Sequence, residues 1–449
     1  MVTTCYVTDD FMLKHWNPLK RWMPERPKRL QVANQLLQSR GLLDQALVLQ
    51  SRQATDEELL LVHTKEHVEK IRATESMSLE EVALENDRLD PVTTICQDTN
   101  KAARLACGCL LQVVDAVLTG KCRNGLALTR PPGHHSGKDT VTGFCIFNNA
   151  AVAARYAIQR HGLKRILIFD WDIHHGNGTQ DIFYDSDSVL YISIHRYLKE
   201  KIFPKLEIAD ATYIGSGAGK GYNINIPWTK PAMTDADYLT AMYQLVMPVA
   251  AEGDCCVTPA GYQQMTSLLK NLAHGRLTIT LEGGYNVDAV AASLAACMET
   301  LMNEPCAPVS EMKPSASALH SIARAKAAVL PYWKCLSAEP TPIVVEPERS
   351  METWPIPVLT CPHGDMISRV PREGFSKDIK CLDDSGKWIC LKCFQVLEGE
   401  SNSEPLVEHA VRNQHFLMVN THTLNVRCHS CRSGVLHKEF ITVLAQLNK

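Results

Sequence analysis

The chain has 449 residues, with 46 Lys+Arg against 49 Asp+Glu for a net charge of −3, and it carries 17 cysteines. That length suits two or three domains, or one large α/β domain with a small module, and 45% hydrophobic with 21% charged residues excludes a disordered or collagen-like chain. The near-neutral charge leaves no basic footprint for nucleic acid, and residues 1–10 lack a basic stretch followed by an apolar core, which with no apolar run of ~18 residues argues for a soluble intracellular protein and against a membrane one.

To about residue 300, helical periodicity alternates with short apolar runs, the pattern of a largely parallel sheet covered by helices on both faces. A helix is expected over residues 24–42, with Leu30, Val32, Leu36 and Leu37 on its apolar side. Others are expected over 102–118, 150–159 and 317–328. Strands are expected at 126–129, 165–169, 189–194, 222–226 and 277–281, each short and rich in β-branched or large aliphatic residues. Residues 337–357 hold prolines at 340, 342, 347, 355 and 357 and few core formers, so they read as a linker. The expected domains are 1–337, a linker at 338–357, and 358–449. In a reducing compartment the cysteines do not read as a disulfide framework: six fall between Cys361 and Cys431, and the other eleven are scattered as buried small hydrophobes would be.

The run Ile166-Leu-Ile-Phe-Asp170-Trp-Asp172-Ile-His174-His175-Gly-Asn177 is an apolar strand ending in acids and histidines. In an open parallel sheet, ligands bind beyond the carboxyl ends of strands. Alternation along an extended chain would point Asp170, Asp172 and His174 to one side. Two carboxylates and an imidazole suit a divalent metal such as catalytic zinc. A second histidine pair, Pro131-Pro-Gly-His134-His135, and the segment Leu281-Glu-Gly-Gly-Tyr285 also follow strands.

With Gly143-Phe-Cys-Ile-Phe-Asn-Asn149 and Tyr191-Ile-Ser-Ile-His-Arg-Tyr197, these motifs resemble, over about residues 1 to 335, the zinc-dependent histone deacetylases, most closely class IIb, the tubulin-deacetylating type. The resemblance implies an arginase/deacetylase-like fold and hydrolysis of N-acetyl-lysine on histone or tubulin-like protein substrates, in the cytoplasm or nucleus. It implies that Asp172 and His174 bind zinc, that His134 and His135 form the general base and acid pair, and that Asp170 and Asn177 sit beside them. Tyr285 would donate to the substrate carbonyl, and Phe144 and Phe203 would flank the tunnel. Asp170, Asp172, His174 and Ser193 would also surround a potassium ion.

The chain departs from that pattern at one place. The family's third zinc ligand is an aspartate in a Ser-Ala-Gly-Phe-Asp-like strand, whereas this chain runs Met247-Pro-Val-Ala-Ala-Glu252-Gly-Asp254-Cys-Cys-Val-Thr-Pro259. The neighbouring segments match, so a central strand and its loop are missing. Loss of a metal ligand and a ladder partner together suggests a catalytically impaired scaffold, or a splice form or incomplete gene model of an active enzyme. Glu252 and Asp254 are the substitute carboxylates nearest to hand.

Cys361, His363, Cys390, Cys393, His409, His415, Cys428 and Cys431 supply eight ligands with zinc-finger spacing, enough for two closed tetrahedral sites in a core-poor segment. This part resembles the UBP-type, ubiquitin-binding zinc finger. By that likeness Cys361, His363, Cys428 and Cys431 form one site, and Cys390, Cys393, His409 and His415 the other. A third site of the family keeps only Cys381, with Asp384, Glu398 and Pro405 at the remaining positions. In the ubiquitin-tail pocket Trp388 is kept, while Glu400 and Arg427 replace an arginine and a tryptophan.

Overall fold

The computed structural model describes residues 4–17, 23–198, 201–231, 233–250, 259–307, 313–336, 388–390, 392–393, 395–397, 404–415, 417–420, 426–428 and 433–434. The chain divides into two compact units, Met1–Thr341 and Pro342–Lys449.

Among the described residues of the first unit, seven strands run β1 (Thr4–Val7), β2 (Leu47–Val48), β3 (Asn124–Ala127), β4 (Ile166–Asp170), β5 (Val189–Arg196), β6 (Asn223–Trp228) and β7 (Thr278–Thr280). Every pairing among them is parallel. The sequence leads to one sheet, but the described residues form two, in the orders β2-β1-β3-β7 and β4-β5-β6. The physical reason is that no described strand lies between β4 and β7 to pair with both. Residues 251–258, including Glu252 and Asp254, lie outside the described residues.

The helices begin and end where local chemistry requires it. The first covers Lys28–Ser39 rather than starting at residue 24, with Pro27 as its N-cap. Proline has no N–H to give and is tolerated at a helix entrance. The helix Asn149–His161 opens with the Asn148 side chain accepting from the Ala151 N–H and closes at Gly162, whose φ is +70°, a left-handed stop that glycine adopts without strain. The Thr99–Leu118 helix is rich in Ala and Leu and buries most of its length; it packs with β1, β3 and β7 in the larger apolar core. A second core gathers around Ile192, Ile224, Met242 and Leu268.

The second unit contains β8 (Trp388–Cys390), β9 (Val396–Leu397), β10 (Leu417–Asn420), β11 (Val426–Cys428) and β12 (Ser433–Gly434). They form one antiparallel sheet in the order β12-β11-β10-β8-β9. With the helix Glu404–Asn413 this is an α+β arrangement, whose small core joins Trp388, Leu406, Ala410 and Met418.

Candidate active site and zinc finger

The carboxyl ends of β3, β4 and β7 deliver the acids, histidines and tyrosine to one place. After β3, the chain reaches His134 and His135, whose ring centroids lie 4.0 Å apart. Each ring is held by a different partner. His134 Nδ1 donates to Asp170 Oδ2 at 2.9 Å, and His135 Nδ1 donates to Asn177 Oδ1 at 2.8 Å. Asp170 is held in turn by the Tyr191 hydroxyl, 3.0 Å from Oδ2, and by the Asp172 N–H, 3.0 Å from Oδ1.

Strand alternation does not bring Asp172 and His174 together, because β4 ends at Asp170. A turn does so instead: the His174 N–H donates to Asp172 Oδ1 at 2.8 Å, and His174 Nδ1 lies 3.3 Å from the same oxygen. Gly283 N–H donates to Asp172 Oδ2 at 2.9 Å. His175, the other half of the pair, turns inward, bonded to Gln180 and packed on His195. Ser193 also faces His195, its Oγ 2.8 Å from Nδ1.

Phe144, Phe203 and Tyr285 surround these groups. The Phe203 ring stands edge-on to His135 at 4.8 Å, and Phe144 edge-on to Tyr285 at 5.4 Å. Gly143, with φ +57°, permits this approach, since a Cβ there would collide with the His135 and Phe203 rings. The turn is fixed from outside by Asp90 and Thr93, which accept from the Gly143 and Phe144 N–H groups at 3.2 and 3.0 Å.

Burial and charge set the protonation of the site. Burial lowers the pKa of His134, but the carboxylates of Asp170 and Asp172 outweigh it and push the imidazole up to about 10. Burial, together with the charge of His134, holds His135 well below the usual histidine value. Burial raises Asp172, but His134 and His174 prevail and keep its carboxyl low. Burial pushes Tyr285 well above the ordinary phenol range, so its hydroxyl keeps its proton.

Several contributing residues escaped sequence reasoning. Glu282 Oε2 accepts from the N–H groups of Gly133 and His134 at 2.7 and 3.0 Å. Fully buried Arg29 donates to the carbonyls of Glu282, Gly283 and Gly284 and lies 5.0 Å over the Tyr285 ring. It shares Glu25 with Arg130, at 3.0 and 2.6 Å. The available signal was an i,i+4 Glu25/Arg29 pair running into the apolar stripe of the first helix.

Asp172 and His174 have the donor chemistry of a zinc site and lie within reach of one ion. Catalytic zinc normally takes three protein ligands, and no third joins them among the described residues, so the fit to the metal is incomplete. In the finger, Cys390, Cys393, His409 and His415 offer ligand atoms all within 4.8 Å of one another, a donor set that fits closed tetrahedral zinc. Cys361, His363, Cys381 and Cys431 lie outside the described residues, as does the side chain of Cys428. Trp388 is 4% exposed and packs in the core of the unit, so it offers little surface to a ubiquitin tail.

Comparison with known proteins agrees with this geometry. Residues 23–253 match the histone deacetylase domain, and residues 379–440 match the zinc finger found in ubiquitin hydrolases and other proteins, which implies zinc there. Polyamine deacetylase HDAC10 of Homo sapiens is 42% identical over 358 residues, covering 75% of this chain and 53% of that protein. Histone deacetylase 6 of Caenorhabditis elegans is 32% identical over 486 residues, covering 92% of this chain and 51% of the other. The chain thus spans about half the length of these curated relatives. The crystal structure of the HDA15 HD domain superposes with a TM-score of 0.67 at 37% identity, covering 75% of this chain and 96% of that one. The chain belongs to the histone deacetylase family and carries a zinc finger of the type found in ubiquitin hydrolases.

Proposed function

We propose that the first unit hydrolyses acetylated amines, with ε-acetyl-lysine in proteins of the histone or tubulin kind as its substrate class. The observation that carries this is the His134–His135 pair, each ring fixed by its own partner beneath an aromatic rim. In amide hydrolysis a water oxygen adds to the acetyl carbon, the C–N bond breaks, and the products are acetate and a free amine. Burial and the charge of His134 keep His135 neutral, so His135 takes the water's proton, which returns to the departing nitrogen. Asn177 fixes the His135 ring, and His134, kept protonated by Asp170 and Asp172, supplies positive charge beside it. The Tyr285 hydroxyl, protonated at neutral pH, donates to the carbonyl oxygen as charge develops there. Phe144 and Phe203 exclude water along the methylene chain of the substrate. Zinc bound at Asp172 and His174 would polarise the carbonyl and acidify the water. Asp170, Asp172, His174 and Ser193 are the groups that would hold potassium.

In the second unit, Cys390, Cys393, His409 and His415 hold one structural zinc; Cys361, His363, Cys428 and Cys431 hold another. A ubiquitin tail is the partner this finger type suggests. Cytoplasm or nucleus suits both activities, and no helix of the described residues is long and apolar enough to cross a membrane.

One relative's name makes acetylated polyamine the competing substrate. The test is acetate release by the zinc-supplemented chain from an acetyl-lysine peptide and from an acetylated polyamine, with the peptide expected to be turned over faster. Faster turnover of the polyamine would overturn the substrate reading. The incomplete ligand set favours a second reading, a scaffold that keeps the fold without the metal, and no turnover of either compound by folded protein would establish it.

A further inference from the structure

Each of the two sheets ends on an edge that no described strand pairs: β4 pairs with β5 alone, and β7 with β3 alone. Both edges line one cavity of about 790 Å³, as do Leu110, Ala153, Tyr262 and Leu294 of four helices. Ile166 and Ile168 of β4 pack against the cluster of Ala151 and Ala154, and Leu167 and Phe169 against that of Leu268 and Leu269, so helices cover both faces of this edge strand. β4 reads Ile-Leu-Ile-Phe, a sequence suited to burial on both faces, yet all four residues are only partly buried.

The two edges run in the same direction. At their carboxyl ends, Asp170 of β4 and Glu282, just past β7, both bond to His134, and Gly283 N–H reaches Asp172 across the gap.

We propose that this cavity is a strand-acceptor site, which takes an extended apolar segment of a partner polypeptide between β4 and β7. The segment continues both existing parallel ladders, which dictates its direction: parallel to β4, with its carboxyl end toward His134. A length of about five residues at ~3.3 Å each matches the five of β4. Apolar side chains are required on both faces of the segment, because helices cover both. Main-chain hydrogen bonds to two edges supply the affinity, and the alternate side chains supply selectivity. The cavity reaches His134, Asp170, Asp172 and Tyr285 at its carboxyl end, so a bound segment ends beside those groups, but the strand pairing itself requires no turnover.

The test uses the full chain without added zinc and the peptide acetyl-Lys-Val-Leu-Val-Phe-Val-Lys-amide, read by hydrogen exchange with mass spectrometry and by Trp171 fluorescence, since Trp171 lines the cavity. Saturating peptide is expected to slow exchange at least about tenfold in both Ile166–Asp170 and Thr278–Thr280. A peptide with proline at the second and fourth apolar positions, which lacks the N–H donors, should do nothing. Protection of only one strand, equal effects of the two peptides, or no protection would overturn the proposal. So would protection of both strands that rises with protein concentration in the absence of peptide, because a second copy would then be the occupant.

Discussion

Arg29 shows how much of this site depends on a residue that does no chemistry. Its guanidinium is fully buried and grips the carbonyls of Glu282, Gly283 and Gly284, so the loop carrying Tyr285 is tied to the first helix. Arg29→Lys keeps the charge but loses the planar fork. We expect it to lower kcat about 10- to 100-fold through misplacement of the tyrosine, with little change in KM; steady-state kinetics on an acetyl-lysine peptide checks this. Glu25 is the counter-ion of both Arg29 and Arg130. Glu25→Gln leaves two buried guanidinium groups without their carboxylate, and a loss of about 3–5 kcal/mol is expected, measured as a fall in urea midpoint.

The same glutamate sets an acid limit on the fold. Burial would raise its carboxyl, but Arg130 and Arg29 hold it at about 2, down from the ordinary 4.5. A depressed carboxylate stabilises the folded state above its unfolded pKa and loses that contribution as pH falls. Stability should therefore decline from about pH 4.5 toward pH 2 in the wild type, and Glu25→Gln should flatten that part of a pH–stability profile.

At the scale of elements, the turn Thr142–Cys145 is the tightest constraint on the pocket. Gly143→Ala would place a methyl into the His135 and Phe203 rings at a position of φ +57°. Activity should fall by about 10²-fold while far-UV circular dichroism is retained. Much at this scale was legible in the sequence. The Ile166–Asp170 strand stood out because a buried parallel strand is a continuous apolar run, and the acids beyond it marked its carboxyl end. β1, with only Thr4-Cys-Tyr-Val7, was not legible: four residues carry too little pattern, and its place is decided by pairing with β3. The convergence of Asp172 and His174 was legible as chemistry but not as geometry, since a turn beyond the strand brings them together. Arg29 and Glu282 were hidden because their work lies in hydrogen bonds to backbone groups distant in sequence, which spacing cannot show.

For the whole molecule, the missing segment before Pro259 has a consequence beyond one ligand. The described residues form two sheets whose edges line one cavity, and the candidate site at their carboxyl ends brings together His134, His135, Asp172, His174 and Tyr285. The finger has a different dependence on metal. Its described core is small, and a domain of this size takes folding free energy from zinc. A chelator should raise exchange at Trp388–Cys390 and Leu417–Asn420 while leaving the Thr99–Leu118 helix protected, as read by hydrogen exchange on the full chain; equal loss in both units would contradict this.

The central claim is that the His134–His135 pair and Tyr285 form a working hydrolytic centre. Its most direct measurement is acetate release from an acetyl-lysine peptide by the zinc-supplemented wild type, His134→Ala and Tyr285→Phe, compared in parallel. The account predicts turnover by the wild type and losses of about 10²- to 10⁴-fold in each variant, with the fold intact. Turnover unaffected by either substitution, or none from the wild type, would contradict it.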